Sequence, residues 1–176
     1  MSIFKIHTVE SAPSAVKNIL ETTQKAIGFI PNMHAVMADS PVLLKAYKEI
    51  GKLFNETSFS PIEREVIEMT INQANGCAYC IAAHSYFDRL SNFPEEILTA
   101  LLQDKSFENP KLQRLRIFTK TIIEKRGWVL PEEIETFLSV GYSKEQVLEL
   151  IVGVAHKIMS NYVNHIAETL IDDEFK

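Results

Sequence analysis

Apolar residues recur along almost the whole chain at helical spacing. Residues 110–126 show it most clearly: Leu112, Leu115, Ile117, Phe118, Ile122 and Ile123 can face a core, while Lys111, Arg114, Lys120 and Lys125 can face water. The pattern predicts helices over 13–27, 32–38, 41–55, 61–74, 77–90, 94–102, 110–126, 131–139 and 143–170, with residues 3–9 extended. No convincing period-two alternation is present. Val66 to Ile71 is partly β-branched, but its length and the signal before it favour helix. The expected fold class is therefore all-α.

Proline punctuates this pattern. Pro13, Pro31, Pro41, Pro61, Pro94, Pro110 and Pro131 each stand where an amphipathic segment begins. The first helical position tolerates proline because the amide hydrogen it lacks would be unpaired there. Ser40 and Ser60 add N-caps, and Ser60 with Glu63 reads as a capping box. Asn75-Gly76 closes the fourth helix, since either residue suits the left-handed position after a helix. Cys77 then falls at the first turn of the next helix. Gly153 weakens the long segment 143–170. A shift of 84 residues lays Glu149 on Glu65, Ile151 on Ile67, Asn161 on Cys77 and Asn164 on Cys80. A real duplication would bend or break the long segment near Met159-Ser160; chance alignment of two amphipathic helices explains the match equally well.

The chain has 176 residues, 46% of them apolar, enough for one domain spanning 1–176 with a substantial core. A formal charge of −5 and the lack of a Lys/Arg run argue against nucleic acid as a partner. No apolar run approaches a membrane span, and Met1 to His7 lacks a signal-like apolar region. The expectation is a soluble, cytoplasmic protein. There, a lone cysteine pair is more often catalytic or metal-binding than a structural staple.

That pair is Cys77-Ala-Tyr-Cys80, followed by His84. On a helix the three side chains fall within roughly 60° of arc. Residues three apart on a helix have Cα atoms about 5 Å apart, within disulfide range. One thiol can attack and the other resolve. Two effects lower a thiol pKa here and they nominate different cysteines. The helix N-terminus favours a thiolate at Cys77. His84, one turn beyond Cys80, can take its proton and stabilise the anion. The second effect favours Cys80 as nucleophile, because a positioned base also returns a proton to a leaving group. Glu65 lies on the preceding helix, which a tight turn makes an antiparallel neighbour, so its carboxylate could orient His84. Glu63 and Glu68 read as capping and solvent-facing.

Together, Glu65, Cys77, Cys80 and His84 resemble the active-site pattern of the alkylhydroperoxidase D-like family, within the carboxymuconolactone decarboxylase superfamily. Glu63-Arg64-Glu65 and Asn75-Gly76-Cys77 share that likeness. Ile30-Pro31-Asn32, Ser40-Pro41 and the segment from Asn161 to Thr169 resemble its peroxidase-related branch, so the likeness runs from about residue 28 to 172. The resemblance implies an alkylhydroperoxidase D-like all-helical fold with the CxxC site on an antiparallel helix pair. It implies peroxide or disulfide reduction without metal, flavin or other cofactor. It also implies a homo-oligomer (dimer, trimer or hexamer), a peroxide substrate and an external dithiol reductant of lipoyl or thioredoxin type. By resemblance, Glu65 and His84 form the proton relay, Cys80 is the peroxidatic thiol and Cys77 resolves it. Where the best-known members carry a histidine just before the second cysteine, this chain has Tyr79, a phenol that relays protons less readily near pH 7. The superfamily's decarboxylases lack the cysteine pair.

Three rival readings of the same residues stay open. Cys77, Cys80 and His84 with Glu65 or a distant histidine could ligate zinc, although structural zinc sites usually draw on two separated pairs. The motif could exchange disulfides without turning over peroxide. The cysteines could also be relics in an oligomeric scaffold, packed as small hydrophobes. Elsewhere, His7 and His34 read as surface residues and His156 as a hydrogen-bonded core or interface residue. Trp128 is expected to pin a loop onto the core. Asn161, Asn164 and His165 share a helical face, either as a polar seam or as an oligomer contact or the floor of the site.

Overall fold

The computed structural model describes residues 3–176, so Met1 and Ser2 of the N-terminal stretch read above lie outside the described residues. These form α1 (Ser14–Ile27), α2 (Asn32–Met37), α3 (Pro41–Asn55), α4 (Pro61–Ala74), α5 (Ala78–Leu90), α6 (Glu95–Leu102), α7 (Pro110–Glu124), α8 (Pro131–Ser139) and α9 (Lys144–Ala167). A 3₁₀ turn, Asp173–Phe175, follows. No strand occurs among the described residues.

The caps show why the helices start where they do. Pro41, Pro61, Pro110 and Pro131 occupy first-turn positions. The Ser60 hydroxyl accepts from the Glu63 amide while the Glu63 carboxylate accepts from the Ser60 amide, at 3.3 and 2.9 Å. Ser143 and Gln146 repeat this reciprocal pair at the start of α9. Pro13, Pro31 and Pro94 stand one residue earlier, as the residues before α1, α2 and α6.

Two apolar cores both draw on α3 and α9. The larger joins α4, α6, α7 and α8 to the first half of α9 through Phe54, Ile67, Ile71, Leu115, Phe118, Phe137 and Leu150. Phe118, Phe137 and Tyr142 stack with centroids 4.4 and 4.3 Å apart. The smaller gathers α1, α2, α3, α5 and the C-terminal turn around Val16, Leu20, Met37, Leu44 and Phe175, and it contains both cysteines. Each such side chain taken from water contributes about 1.5–3 kcal/mol. Polar groups on the inner faces of α4, α5 and α9 are left to gather where the cores meet.

Several sequence expectations need correction. α9 runs as one helix through Gly153, Met159 and Ser160, so the break that a duplication would produce is absent there. Gly153 instead lets Phe54 approach: a Cβ would lie 2.8 Å from that ring. Trp128 is 85% exposed and pins nothing. Ile117 turns toward solvent. His7 is buried, its Nε2 2.7 Å from Asp39 Oδ1 and its Nδ1 3.0 Å from the Ser11 carbonyl oxygen.

Candidate active site

The turn between α4 and α5 sets the first part of the site. Asn75 ends α4 and Gly76 takes a left-handed φ of +65°, which folds α5 back against α4. Cys77 is thereby the residue before α5, one position earlier than its expected place inside the first turn. Its amide donates to the Asn72 carbonyl at 2.9 Å. Both cysteines are free thiols, buried, with sulfurs 2.8 Å apart.

Two amides from α9 close on the second sulfur. Asn161 Nδ2 lies 3.1 Å and Asn164 Nδ2 3.2 Å from Cys80 Sγ. Asn161 cannot turn over, because its Nδ2 also donates to Asn72 Oδ1 at 2.9 Å and its Oδ1 accepts from Asn75 Nδ2 at 2.8 Å. The pair is therefore asymmetric. Cys77 donates to Cys80, which lowers the Cys80 pKa against the pull of burial, and Lys157, His84 and Asn161 lower it further. The same hydrogen bond, with burial, pushes the Cys77 thiol up. Although Cys77 is at the helix start, the acidic sulfur is Cys80.

Beside the sulfurs lies a buried charge cluster. His84 Nδ1 is 2.8 Å from Glu65 Oε1, and His84 Nε2 is 2.7 Å from Lys157 Nζ. His156 Nδ1 is 2.8 Å from Glu68 Oε1, and its ring stacks on Tyr47 at 4.4 Å. Burial opposes charge on His84, but the Glu65 carboxylate raises its pKa above the ordinary histidine value. Burial also opposes the Lys157 charge, and Glu68 most of all holds that pKa above the ordinary lysine value. Asp88 is raised to about 7 by burial and by the neighbouring Glu65.

A cavity of about 260 Å³ opens onto this cluster. Cys80, His84, Glu65, Asp88 and Lys157 line its polar side, and Tyr47, Tyr79, Phe87 and Phe175 its aromatic side. Cys77 is not in its wall and stands behind Cys80. Tyr79 faces the C-terminal segment: its hydroxyl donates to Asp172 Oδ2 at 2.6 Å and accepts from the Met33 amide at 3.1 Å. Asp172 also accepts from the Asn32 amide at 3.0 Å. Phe175 then packs edge-on against Tyr79, Phe29 and Phe87.

Glu65, Cys80 and His84 meet at the cavity as their spacing predicted, with Cys77 in contact behind. Both His84 nitrogens are engaged by Glu65 and Lys157, and neither sulfur is among the hydrogen-bond partners of the ring in the described residues. The zinc arrangement on Cys77, Cys80 and His84 is accordingly not assembled. The group with metal-ligating proximity among the described residues is Glu65, Glu68 and His84, with ligating atoms within 4.8 Å of one another and no cysteine among them. Glu68 is no solvent-facing carboxylate; it turns inward to His156. His34 is buried against Tyr47. Asn161 and Asn164 are the floor of the site, while His165 points out to solvent. Lys157 escaped the sequence reading. Its signal was a lysine at the same inward register as Gly153, Ser160, Asn161 and Asn164.

Comparison with known proteins agrees with this architecture. Residues 41–109, which carry α3 through the CxxC helix and α6, match the profile of the Carboxymuconolactone decarboxylase family. The fold is that of a peroxidase-related protein from Ralstonia eutropha JMP134 with an alkylhydroperoxidase AhpD core: TM-score 0.85, 20% identity, 99% of this chain and 94% of that one. A peroxidase-related protein from Silicibacter sp. TM1040 gives 0.84 at 17% identity, covering 99% and 93%. The debrominase Bmp8, in complex with 2,3,4-tribromopyrrole, gives 0.82 at 18% identity, covering 99% and 94%. The protein YdfG of Bacillus subtilis (strain 168) is 24% identical over 115 residues, 64% of this chain and 78% of its own length. These structures define an all-helical fold of the alkylhydroperoxidase AhpD type. The sequence likeness to the Carboxymuconolactone decarboxylase family is carried by residues 41–109, and the likeness of fold by nearly the whole chain. No helix among the described residues is long and apolar enough to cross a membrane.

Proposed function

We propose that the protein is a thiol-dependent peroxidase in antioxidant defence, acting through Cys80 with Cys77 as the resolving thiol. The observation that carries this reading is the asymmetry of the pair: Cys80, held by two amide donors and favoured as thiolate, reaches the cavity, while Cys77 waits 2.8 Å behind it. The Cys80 thiolate attacks the distal oxygen of a hydroperoxide, the O–O bond breaks, and Cys80 becomes a sulfenic acid as the alkoxide leaves. Cys77 then attacks the sulfenic sulfur, releases water and closes the disulfide. An external dithiol restores both thiols by exchange. Glu65 orients the His84 ring and holds its Nδ1 proton. On this reading the enzyme works as a homo-oligomer in the cytoplasm, a compartment that keeps dithiols reduced.

The test is hydroperoxide consumption with lipoyl, thioredoxin-type and glutathione donors, on wild type, Cys80→Ser and Cys77→Ser. Wild type should turn over with at least one donor. Cys80→Ser should be inactive, and Cys77→Ser should make one turnover and accumulate a dimedone-reactive sulfenic acid. A wild type that exchanges disulfides but leaves hydroperoxide untouched would reduce the reading to disulfide oxidoreductase.

A second reading uses the same thiolate. Tyr47, Tyr79, Phe87 and Phe175 would suit a small planar aromatic substrate, and the debrominase of this fold is seen in complex with 2,3,4-tribromopyrrole. Bromide release from a bromopyrrole, dependent on Cys80, would favour it.

A further inference from the structure

Lys157 is a buried cation to which the reaction above gives no task. It is 2% exposed, on the face of α9 that also presents Ser160 and Asn161 to Cys80. Stripping an ammonium of water is costly even after relaxation, so a fold keeps one only against compensating anions. Here the Glu65 and Glu68 carboxylates approach from α4 and the Cys80 sulfur from α5, with Tyr47 of α3 and the His84 ring of α5 beside them. A purely structural cation would be sealed among these partners. Lys157 instead lines the cavity together with Cys80. An ammonium has three hydrogens, and among the described residues His84 Nε2 is the hydrogen-bond partner of this nitrogen. Hydrogens therefore remain for a molecule in the cavity. His84 is placed to refill the lysine rather than to reach sulfur, since its Nδ1 is held by Glu65 and its Nε2 faces the ammonium.

We propose that Lys157 is the general acid of the peroxide step, protonating the oxygen that departs as Cys80 is oxidised; this rests on the peroxidase reading above. The step balances. Cys80 thiolate, hydroperoxide and the Lys157 ammonium give Cys80 sulfenic acid, alcohol and the neutral Lys157 amine. The sulfur gives up two electrons and the O–O bond takes them. Cys77 thiol with the sulfenic acid then gives disulfide and water. Reduction by a dithiol regenerates the Cys77 thiol, the Cys80 thiolate and one proton, which recharges Lys157 through His84.

The prediction concerns leaving-group basicity. A departing alkoxide needs a proton, whereas the acetate leaving peracetic acid does not. General acids contribute about 10²–10⁴-fold. The experiment compares wild type and Lys157→Met with tert-butyl hydroperoxide and with peracetic acid by rapid-quench trapping of oxidised Cys80. Rates are divided by the thiolate fraction found from the pH dependence of iodoacetamide alkylation. That correction removes the ammonium's separate effect on the Cys80 charge. Lys157→Met should lose about 10²-fold or more with the hydroperoxide and less than tenfold with the peracid. Because Lys157→Met takes an ammonium away from Glu68 and leaves it the hydrogen bond to His156, the double variant Glu68→Gln/Lys157→Met is measured alongside, with circular dichroism as the check on folding. Equal losses with both oxidants in the folded variant would overturn the assignment and leave the peroxidase reading standing. Wild type inert toward the hydroperoxide would sink the peroxidase reading and this role with it.

Discussion

Asn161 Nδ2 lies 3.1 Å from Cys80 Sγ and is fixed in that orientation by Asn72 and Asn75. A hydrogen bond to a charged group contributes about 1.5–3 kcal/mol, and 1.36 kcal/mol corresponds to one pKa unit. Asn161→Ala should therefore raise the Cys80 pKa by about one unit, and Asn161→Ala/Asn164→Ala by more. The measurement is the midpoint of iodoacetamide alkylation against pH. In wild type it should fall below the ordinary thiol value of about 8.5.

His34 gives a stability prediction. Burial holds its pKa down to about 3, with repulsion from the Lys48 ammonium adding to it. A depressed pKa means that the unfolded chain binds the proton more readily. This contribution is complete above the unfolded value of about 6.5 and is lost as pH falls toward 3. At pH 4 the loss is about 3 kcal/mol. His34→Leu should flatten the urea-unfolding stability between pH 6.5 and 4 relative to wild type. Parallel curves for the two proteins would contradict the burial argument.

Tyr79 serves the C-terminal segment. Tyr79→Phe removes the hydroxyl that bridges Asp172 and the Met33 amide, leaving two buried groups short of a partner. The expected cost is about 1–3 kcal/mol of stability. The alkylation midpoint of Cys80 should stay where it is, which separates an anchoring phenol from one that relays protons.

Gly153 offers a test of packing against propensity. Alanine is the better helix former by about 1 kcal/mol. Its methyl, however, would stand 2.8 Å from the Phe54 ring and 3.2 Å from Ile67. Overpacking of this kind costs about 1–3 kcal/mol. Gly153→Ala should be net destabilising by about 1 kcal/mol in thermal or urea unfolding; a stabilised variant would show that Phe54 yields easily.

Helix positions were legible because proline, serine caps and the Asn75-Gly76 stop act locally, within one turn of the residue that bears them. The CxxC, His84 and Glu65 were legible because their spacing lies within two adjoining helices. What the sequence hid comes from α9, some 80 residues away. Lys157, Asn161 and Asn164 look like ordinary polar residues on a long helix. Only the packing of α9 against α4 and α5 turns that face toward sulfur. His34 and Glu68 were misread for the same reason, since their burial is a property of their neighbours. The departure at Tyr79 makes sense only once Asp172 is seen beside it.

The cradle beneath Cys80 suits one oxidation state. A sulfur bonded to another sulfur carries no charge, and the N–H groups aimed at it then have nothing anionic to hold. The interior thus weights the couple toward its electron-rich member, as any oxidoreductase does that stabilises its dithiol form. On the proposed peroxidase reading, a disulfide formed there would be a ready electron acceptor, and even a mildly reducing donor would reset it between encounters with oxidant.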